Sequence, residues 1–197
     1  MDRRGFILYI KVLVLILMIL VSSSGLVHAI DFKGVVKLGA GFSNMSQLDQ
    51  KRSKFAVTGG GGLIVFLDDP FSFELDVLYQ LKGSLATRTD YSGSYLSFPL
   101  TVRARLIEHV SLVFGPQISV LLFAETNQQN VTAFTKPLDF GLVFGMNYYF
   151  SVGDDRIIFE FIVDVGLVDV TKANHPFSTS SNKNRAGYVS LGWEFSL

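Results

Sequence analysis

The sequence predicts an all-β fold, an eight-stranded antiparallel up-and-down transmembrane β-barrel. Three observations support this fold. Apolar and polar residues alternate in eight separate segments, the connections between these segments alternate between short and long, and the composition combines 49% hydrophobic with only 17% charged residues. Alternation with a period of two is typical of strands that have one apolar and one polar face. A closed barrel of such strands can place its apolar face in lipid.

The first 29 residues are predicted to be a cleaved secretory signal peptide, outside the folded domain. A basic start precedes an apolar run from Val12 to Val21, and Val27-His28-Ala29 supplies the positions that a signal peptidase reads. The alternative is an uncleaved anchor helix, but the run is shorter than the roughly 20 residues that a spanning helix needs. Residues 30–197 then form one barrel domain.

The composition argues against several other classes of protein. Basic and acidic residues are equal in number, 17 each, so the charge does not suggest nucleic-acid binding. The chain has no cysteine, which excludes a disulfide framework and a thiolate metal site. We expect no cofactor and no metal site.

Eight predicted strands follow one another along the mature chain with the same alternation. They cover Phe32–Ser43, approximately Phe55–Leu67, Phe71–Lys82, Tyr95–Leu106, Val110–Leu122, Leu138–Phe150, Ile157–Leu167 and Tyr188–Leu197. The second strand is the least regular, because its glycine run has no side chains to set the phase. Eight strands are the smallest usual number for a membrane barrel.

The third strand shows the two faces most clearly. In Phe71–Lys82 the odd positions are Phe, Leu, Val and Tyr, and the even positions are polar apart from Leu78. The interior of an eight-stranded barrel is only just wide enough for its side chains, so the Phe and Leu residues of all eight strands would overpack it. We therefore expect the apolar face to contact lipid, and Glu74 and Asp76 to point into the lumen.

The connections are strongly asymmetric. Three are short, residues 68–70, 107–109 and 151–155, and four are long and polar: Asn44–Lys54, Gly83–Ser94, Glu125–Lys136 and Asp169–Arg185. In an up-and-down barrel, strict alternation places every short turn and both chain ends on one side. Short periplasmic turns opposite long external loops are typical of outer-membrane barrels.

Charged residues on the inward faces form the candidate site. They are Lys33, Lys37, Glu74, Asp76, Lys82, Arg103, Arg105, Asp139, Glu160, Asp164 and Glu194. Strand register predicts that Glu74 and Arg103 are near neighbours, with Arg105 and Asp76 diagonal to them, and that Lys33 approaches Glu194. Because an unpaired buried charge is very costly, we interpret these residues as a salt-bridged plug. An ion path or a catalytic carboxylate pair is the alternative.

The predicted external loops are basic. They carry Lys51, Arg52, Lys54, Lys172, Lys183 and Arg185, and subtracting Asp49 and Asp169 leaves four net positive charges. These cations could bind lipopolysaccharide phosphates or an unknown extracellular or periplasmic protein partner. A solvated, flexible rim is the alternative.

These features favour a structural or interaction-based function through the long external loops, with a largely plugged lumen. A narrow porin-like pore for small solutes is the alternative. A lipid-modifying barrel enzyme is less favoured, because such enzymes use a serine activated by histidine and an acid. The histidines of the mature chain, His109 and His175, fall in a turn and a loop, away from any lipid-facing serine.

The order of the strand motifs resembles a known family. Five segments are similar to successive strands of the PorT-like outer membrane β-barrel proteins: FSFELDVLYQLKGS, YLSFPLTVRARL, FGPQISVLL, LDFGLVFG and GYVSLGWEF. The resemblance covers nearly all of the mature chain and implies a bacterial outer-membrane location. It implies little about activity, because some members serve secretion machinery. The terminal strand also resembles the signal that the barrel-insertion machinery recognises, although it ends in Leu197 where Phe or Trp is usual.

Overall fold

A computed structural model describes residues 31–45, 52–67, 69–86, 89–172 and 182–197. The predicted signal peptide lies outside these residues. Eight long strands make up the fold: β1 Asp31–Met45, β2 Arg52–Phe66, β3 Phe71–Ala86, β4 Thr89–Ile107, β5 Val110–Thr126, β6 Leu138–Val152, β7 Asp155–Gly166 and β8 Asn184–Ser196. Across the described residues, no helix is long and apolar enough to cross a membrane.

The eight strands close into one antiparallel barrel. Each strand pairs with its neighbours in the sequence, and β1 also pairs with β8, so that Val36 lies opposite Gly61 on one side and Trp193 on the other. Pairing of β4 with β5 completes the ring. The predicted fold is therefore confirmed.

The apolar faces of the strands point outward. Phe73 is 42% exposed, whereas the neighbouring Glu74 is 1% exposed. The same alternation holds in β2, where Phe55 and Leu63 are exposed and Ile64 is buried. The phase of β2, which its glycine run left open in the sequence, is thus fixed by its two partner strands.

The outward apolar surface has the height of a lipid bilayer core. Phe32 and Phe42 mark its limits on β1, and ten residues of strand tilted by about 40° span about 25 Å. Polar contacts hold aromatic side chains near both limits: Trp193 Nε1 donates to Asp155 Oδ2 at 3.0 Å, and Tyr79 OH donates to Ser94 Oγ at 3.0 Å. Aromatic residues with one polar atom are typical of the two membrane interfaces.

The two ends of the barrel differ as expected, and we call them the turn end and the loop end. At the turn end, β2, β4 and β6 connect to the next strand through residues 67–70, 108–109 and 153–154. At the loop end, β5 continues through a tight turn at Asn127 and Gln128, whose φ angles are 49° and 65°. Positive φ at both positions is typical of a type I′ hairpin turn.

Two of the four predicted long loops are wrong in extent. The predicted loop Gly83–Ser94 is mostly paired strand, because β3 continues to Ala86 and β4 begins at Thr89. In the predicted loop Glu125–Lys136, the short strand Gln129–Asn130 pairs back onto β5, and a 3₁₀ helix covers Thr132–Phe134. Alternation did not reveal these extensions, because they carry polar residues on the outward face as well.

Glycines on the inward faces leave room for charged side chains. A Cβ atom added to Gly62 would lie 2.0 Å from Asp76 Oδ1 and 2.5 Å from the carbonyl oxygen of Leu75. Gly187 lies on the outward face of β8, where an added Cβ atom would be 3.9 Å from its nearest neighbour, an ordinary contact. The glycine run of β2 therefore includes a position that the lumen side chains require to be empty.

We expect Gly62→Ala to destabilise the barrel by about 1–3 kcal/mol, the usual cost of overpacking. Gly187→Ala is the matched control and should change the free energy of unfolding by less than about 0.5 kcal/mol. Reversible urea unfolding of both variants in detergent or lipid measures the difference. Equal losses in the two variants would show that Asp76 does not depend on the space beside Gly62.

Candidate functional site in the barrel lumen

Two clusters of buried polar side chains occupy the barrel interior. The turn-end cluster consists of Lys33, Lys37, Glu74, Asp76, Arg103, Glu160 and Glu194. The loop-end cluster consists of Gln80, Lys82, Ser97, Gln117, Ser119, Asp139, Asp164 and Asn184. All these side chains lie on the inward faces because the outward positions of the same strands are apolar.

Arg103 joins three strands in the turn-end cluster. Its Nε donates to Glu74 Oε2 at 2.6 Å, and its Nη1 donates to Glu194 Oε2 at 3.2 Å. Lys33 Nζ lies 3.6 Å from Glu194 Oε1. The structure thus brings Glu74 to Arg103 and Lys33 to Glu194, across the β3–β4 hairpin and the β1–β8 closure.

Lys37 lies among three carboxylates. Its Nζ is 2.7 Å from Glu74 Oε1, 3.0 Å from Asp76 Oδ2 and 3.0 Å from Glu160 Oε1. Its Nζ donates hydrogen bonds to Asp76 and Glu160, and the contact with Glu74 Oε1 is an ion pair without hydrogen-bond geometry. The contact with Glu160 crosses the lumen between residues 123 positions apart.

The loop-end cluster combines one ion pair with neutral hydrogen-bonding groups. Lys82 pairs with Asp164, which also accepts a hydrogen bond from Gln117 Nε2 at 2.8 Å. Ser97 Oγ donates to Gln80 Oε1 at 2.8 Å and lies 2.8 Å from Ser119 Oγ. The sequence placed Ser97, Gln117 and Ser119 on the inward faces but gave no sign of their partners.

Asp139 has an amide partner in place of a cation. Asn184 Nδ2 donates to Asp139 Oδ2 at 2.8 Å and lies 3.2 Å from Tyr95 OH. Lys82, the basic member of this cluster, forms its ion pair with Asp164. The loop-end cluster therefore holds two carboxylates and one ammonium group.

The prediction that Arg105 belongs to the lumen network is wrong. Its Nη2 lies 2.8 Å from Asp69 Oδ1, and its side chain is 37% exposed. Strand β4 continues to Ile107, and Arg105 pairs in register with Ser111 near the start of β5. Arg105 consequently lies at the rim of the turn end, below the level of Glu74 and Asp76.

Apolar side chains accompany both clusters. At the loop end, a cap is formed by Met45, Tyr91, Tyr95, Leu121, Ala124, Val131 and Val170, with Phe134 against it. At the turn end, a second group packs beside the ion pairs, namely Val35, Ile64, Tyr149 and Ile158, with Phe66. The sequence did not predict either group, because alternation assigns a face to each residue and does not say which inward positions are apolar.

Two loops meet over the loop end. The backbone N–H of Lys136 donates to Val170 O at 2.7 Å, and that of Lys172 donates to Phe134 O at 3.0 Å. Partial burial alone would raise the pKa of Asp169. Hydrogen bonds from the backbone N–H groups of Asn182 and Thr171 outweigh that effect and hold the pKa below its usual value.

The predicted basic residues of the loop end have different surroundings. Lys51 lies outside the described residues, and Arg52 and Arg185 are exposed on strands. Lys54 Nζ is 2.5 Å from Asp90 Oδ1, and Lys172 Nζ donates to Ala133 O at 2.5 Å, while Lys183 is half-buried. Asp90 thus neutralises Lys54, one of the predicted basic residues, and the expected excess of positive charge at the loop end stays a prediction.

No metal-binding arrangement is formed by the described residues: none of their His, Asp and Glu side chains group in threes or more that could hold an ion. His109 lies in a turn with its side chain 47% exposed, 4.0 Å from Glu108. His175 lies outside the described residues. The carboxylates of the lumen instead contact lysine, arginine and amide groups.

Asp164 and Asp139 allow a direct test of pairing in the lumen. Asp164→Asn leaves the Lys82 charge without its partner, and we expect a loss of about 3 kcal/mol in the free energy of unfolding. Asp139→Asn keeps an acceptor for Asn184 and removes the second carboxylate of the cluster, so the change should stay within about 1 kcal/mol. Urea unfolding in lipid or detergent ranks the variants. The charge-pairing interpretation fails if Asp139→Asn is as costly as Asp164→Asn.

Several solved structures are similar to this chain. Neisserial surface protein A is 13% identical with a TM-score of 0.53, over 84% of this chain and 97% of that chain. Ail of Yersinia pestis is 12% identical with a TM-score of 0.41, over 84% and 99%. OprG of Pseudomonas aeruginosa is 8% identical with a TM-score of 0.42, over 85% and 97%. At such identities, the first of these shows a shared fold alone.

Sequence comparison identifies the family. No curated protein matches the chain. The family model described as the outer membrane protein beta-barrel domain matches residues 27–172, which is most of the chain. This match agrees with the closed barrel and its outward apolar surface. The chain belongs to the outer membrane protein β-barrel domain family.

Proposed function

We propose that this outer-membrane barrel has a plugged lumen and acts structurally or through its loop end. The observation that carries the proposal is the pairing of the inward cations. Among the described residues, Lys33, Lys37, Lys82 and Arg103 each have a carboxylate within 4 Å. A permeating ion would have to separate such pairs, and breaking a buried pair costs about 3–5 kcal/mol.

The apolar cap supports a closed lumen independently of the charges. Val131 and Val170, from two different loops, are both almost fully buried at the loop end. A hydrated path would expose this cap to water, which costs about 25 cal/mol for each Å² of apolar surface. A narrow pore for small solutes, the alternative, therefore needs both the cap and the ion pairs to move.

We further propose that the loop end faces the outside of the cell. Exposed Arg52 and Arg185 would then lie near lipopolysaccharide phosphates, which attract guanidinium groups. The same proposal has four further parts. The protein is not an enzyme, it belongs to the PorT-like subgroup, it is exported through a signal peptide, and its terminal strand guides its insertion. The support is the absence of a serine–histidine arrangement from the described lumen, together with the sequence resemblances given above.

Single-cysteine labelling on intact cells tests the orientation. We expect Ala133→Cys at the loop end to react with a membrane-impermeant thiol reagent, and Asp154→Cys at the turn end to remain unlabelled. Both residues are exposed, and the chain has no cysteine of its own. Labelling of permeabilised cells provides the control for reactivity. The reverse pattern would overturn the proposed orientation.

Planar-bilayer recording of the purified protein tests the plug. We expect at most brief, small-ion events, because eight strands leave little free lumen and the inward charges are paired. A 16-stranded porin recorded under the same conditions serves as the positive control. A stable open conductance approaching that of the porin would rule out the plugged lumen and favour the narrow-pore alternative.

A further inference from the structure

A chamber lies at the turn end of the lumen, on the opposite side from the loops. Its cavity volume is about 20 Å³, and it opens to solvent at the turn end. Three guanidinium groups line it, those of Arg103, Arg105 and Arg156, together with the hydroxyl-bearing side chains Ser72 and Ser111. Hydrogen-bond donors from four different strands therefore converge on one small space.

Arg103 has unused hydrogen-bonding capacity at this chamber. Its Nε and Nη1 contact Glu74 and Glu194, whereas Nη2 is fully buried and has no hydrogen-bond partner among the described residues. A buried guanidinium nitrogen without an acceptor is costly, so the site favours an added acceptor. The two carboxylates that fix Arg103 also hold Nη2 in place.

The other two arginines are more exposed to solvent than Arg103. Arg156 Nη1 lies 3.7 Å from Glu194 Oε1, beyond hydrogen-bond length, and its side chain is 34% exposed. Arg105 forms a bidentate pair with Asp69, with Nη1 3.1 Å from Oδ2 and Nη2 2.8 Å from Oδ1, and the Asp69 side chain is 72% exposed. Arg156 can turn toward a ligand at small cost, and Arg105 can exchange its solvent-exposed partner for the ligand.

The carboxylates near the chamber do not already satisfy these donors. Glu194 is fully buried and serves Arg103 and Lys33 as well as Arg156, and its Oε1 forms no hydrogen bond in the described structure. Glu108 also lines the chamber, but its side chain is 88% exposed and extends toward solvent. Two of the carboxylates near the three arginines, Glu74 and Glu194, are buried and are shared with lysines, and the other two, Asp69 and Glu108, are solvent-exposed.

We propose that this chamber binds a small oxyanion, a carboxylate or phosphate group, that enters from the turn end. The planar fork of arginine matches the paired oxygens of both groups, and several guanidinium groups around one anion are typical of such sites. Arg103 acts as the fixed donor, while Arg105 and Arg156 close on the anion from the rim. The site lies at the other end of the barrel from the loops and does not depend on their function.

Arginine side-chain NMR of the refolded mature protein in detergent micelles tests the proposal. Inorganic phosphate and acetate are titrated in separate arms at constant ionic strength, because surface attraction alone is screened by salt. We expect saturable shifts of the Nε–H signals of Arg103 and Arg156, with half-saturation at about 1–10 mM. Saturation with both phosphate and acetate would show that the chamber binds oxyanions in general. Saturation with only one of them would show that the chamber selects that group.

Matched variants locate the site. We expect Arg156→Gln to weaken binding about tenfold, the effect of losing one modest charge-assisted hydrogen bond. Arg105→Gln should weaken it similarly and decides the question if Arg156→Gln does not fold. Arg52→Gln, the same change at the loop end, should leave the Arg103 shift unaltered. The proposal is overturned if neither anion gives saturable shifts, or if Arg52→Gln weakens them as much as the turn-end variants.

Discussion

The interior of an eight-stranded barrel has room for a limited set of side chains, and the rest of this structure depends on that limit. Since the large apolar residues face outward, the inward positions hold glycine, small polar residues and charges. The charges can be buried only if they are paired, because the interior offers no bulk water to solvate them. Arg103 and Lys37 meet this requirement by sharing Glu74 between them.

Because neighbouring cations share carboxylates, the buried charged side chains depend on one another. Glu74 lies between a guanidinium and an ammonium group, so a change at either cation alters the surroundings of the other. Gly62 belongs to the same arrangement without any polar atom in its side chain, because its lack of a Cβ atom provides the space for Asp76. The stability of such networks is therefore expected to be non-additive between neighbouring residues.

The sequence predicted strand faces and neighbouring pairs, but not depth or contacts across the lumen. Glu74 and Arg103 lie on neighbouring strands at equal distances from two short turns, one before β3 and one after β4, so counting from those turns brought them together. Lys37 and Glu160 lie on strands that are not adjacent, and alternation carries no information about which positions meet across the interior. Arg105 was misplaced for a related reason, because its position near the end of β4 decides whether it points into the lumen or lies at the rim.

The last strand carries a carboxylate that contacts cations on three earlier strands. Glu194 of β8 contacts Lys33 of β1, Arg103 of β4 and Arg156 of β7, three strands that are all synthesised before it. Until β8 arrives, Arg103 has only part of its counter-charge, and the open edges of β1 and β7 have no strand to pair with. The strand that closes the ring is thus also the strand that carries part of the counter-charge of the interior. A chain without β8 would therefore lack both the strand that closes the ring and the carboxylate that Arg103 contacts in the interior.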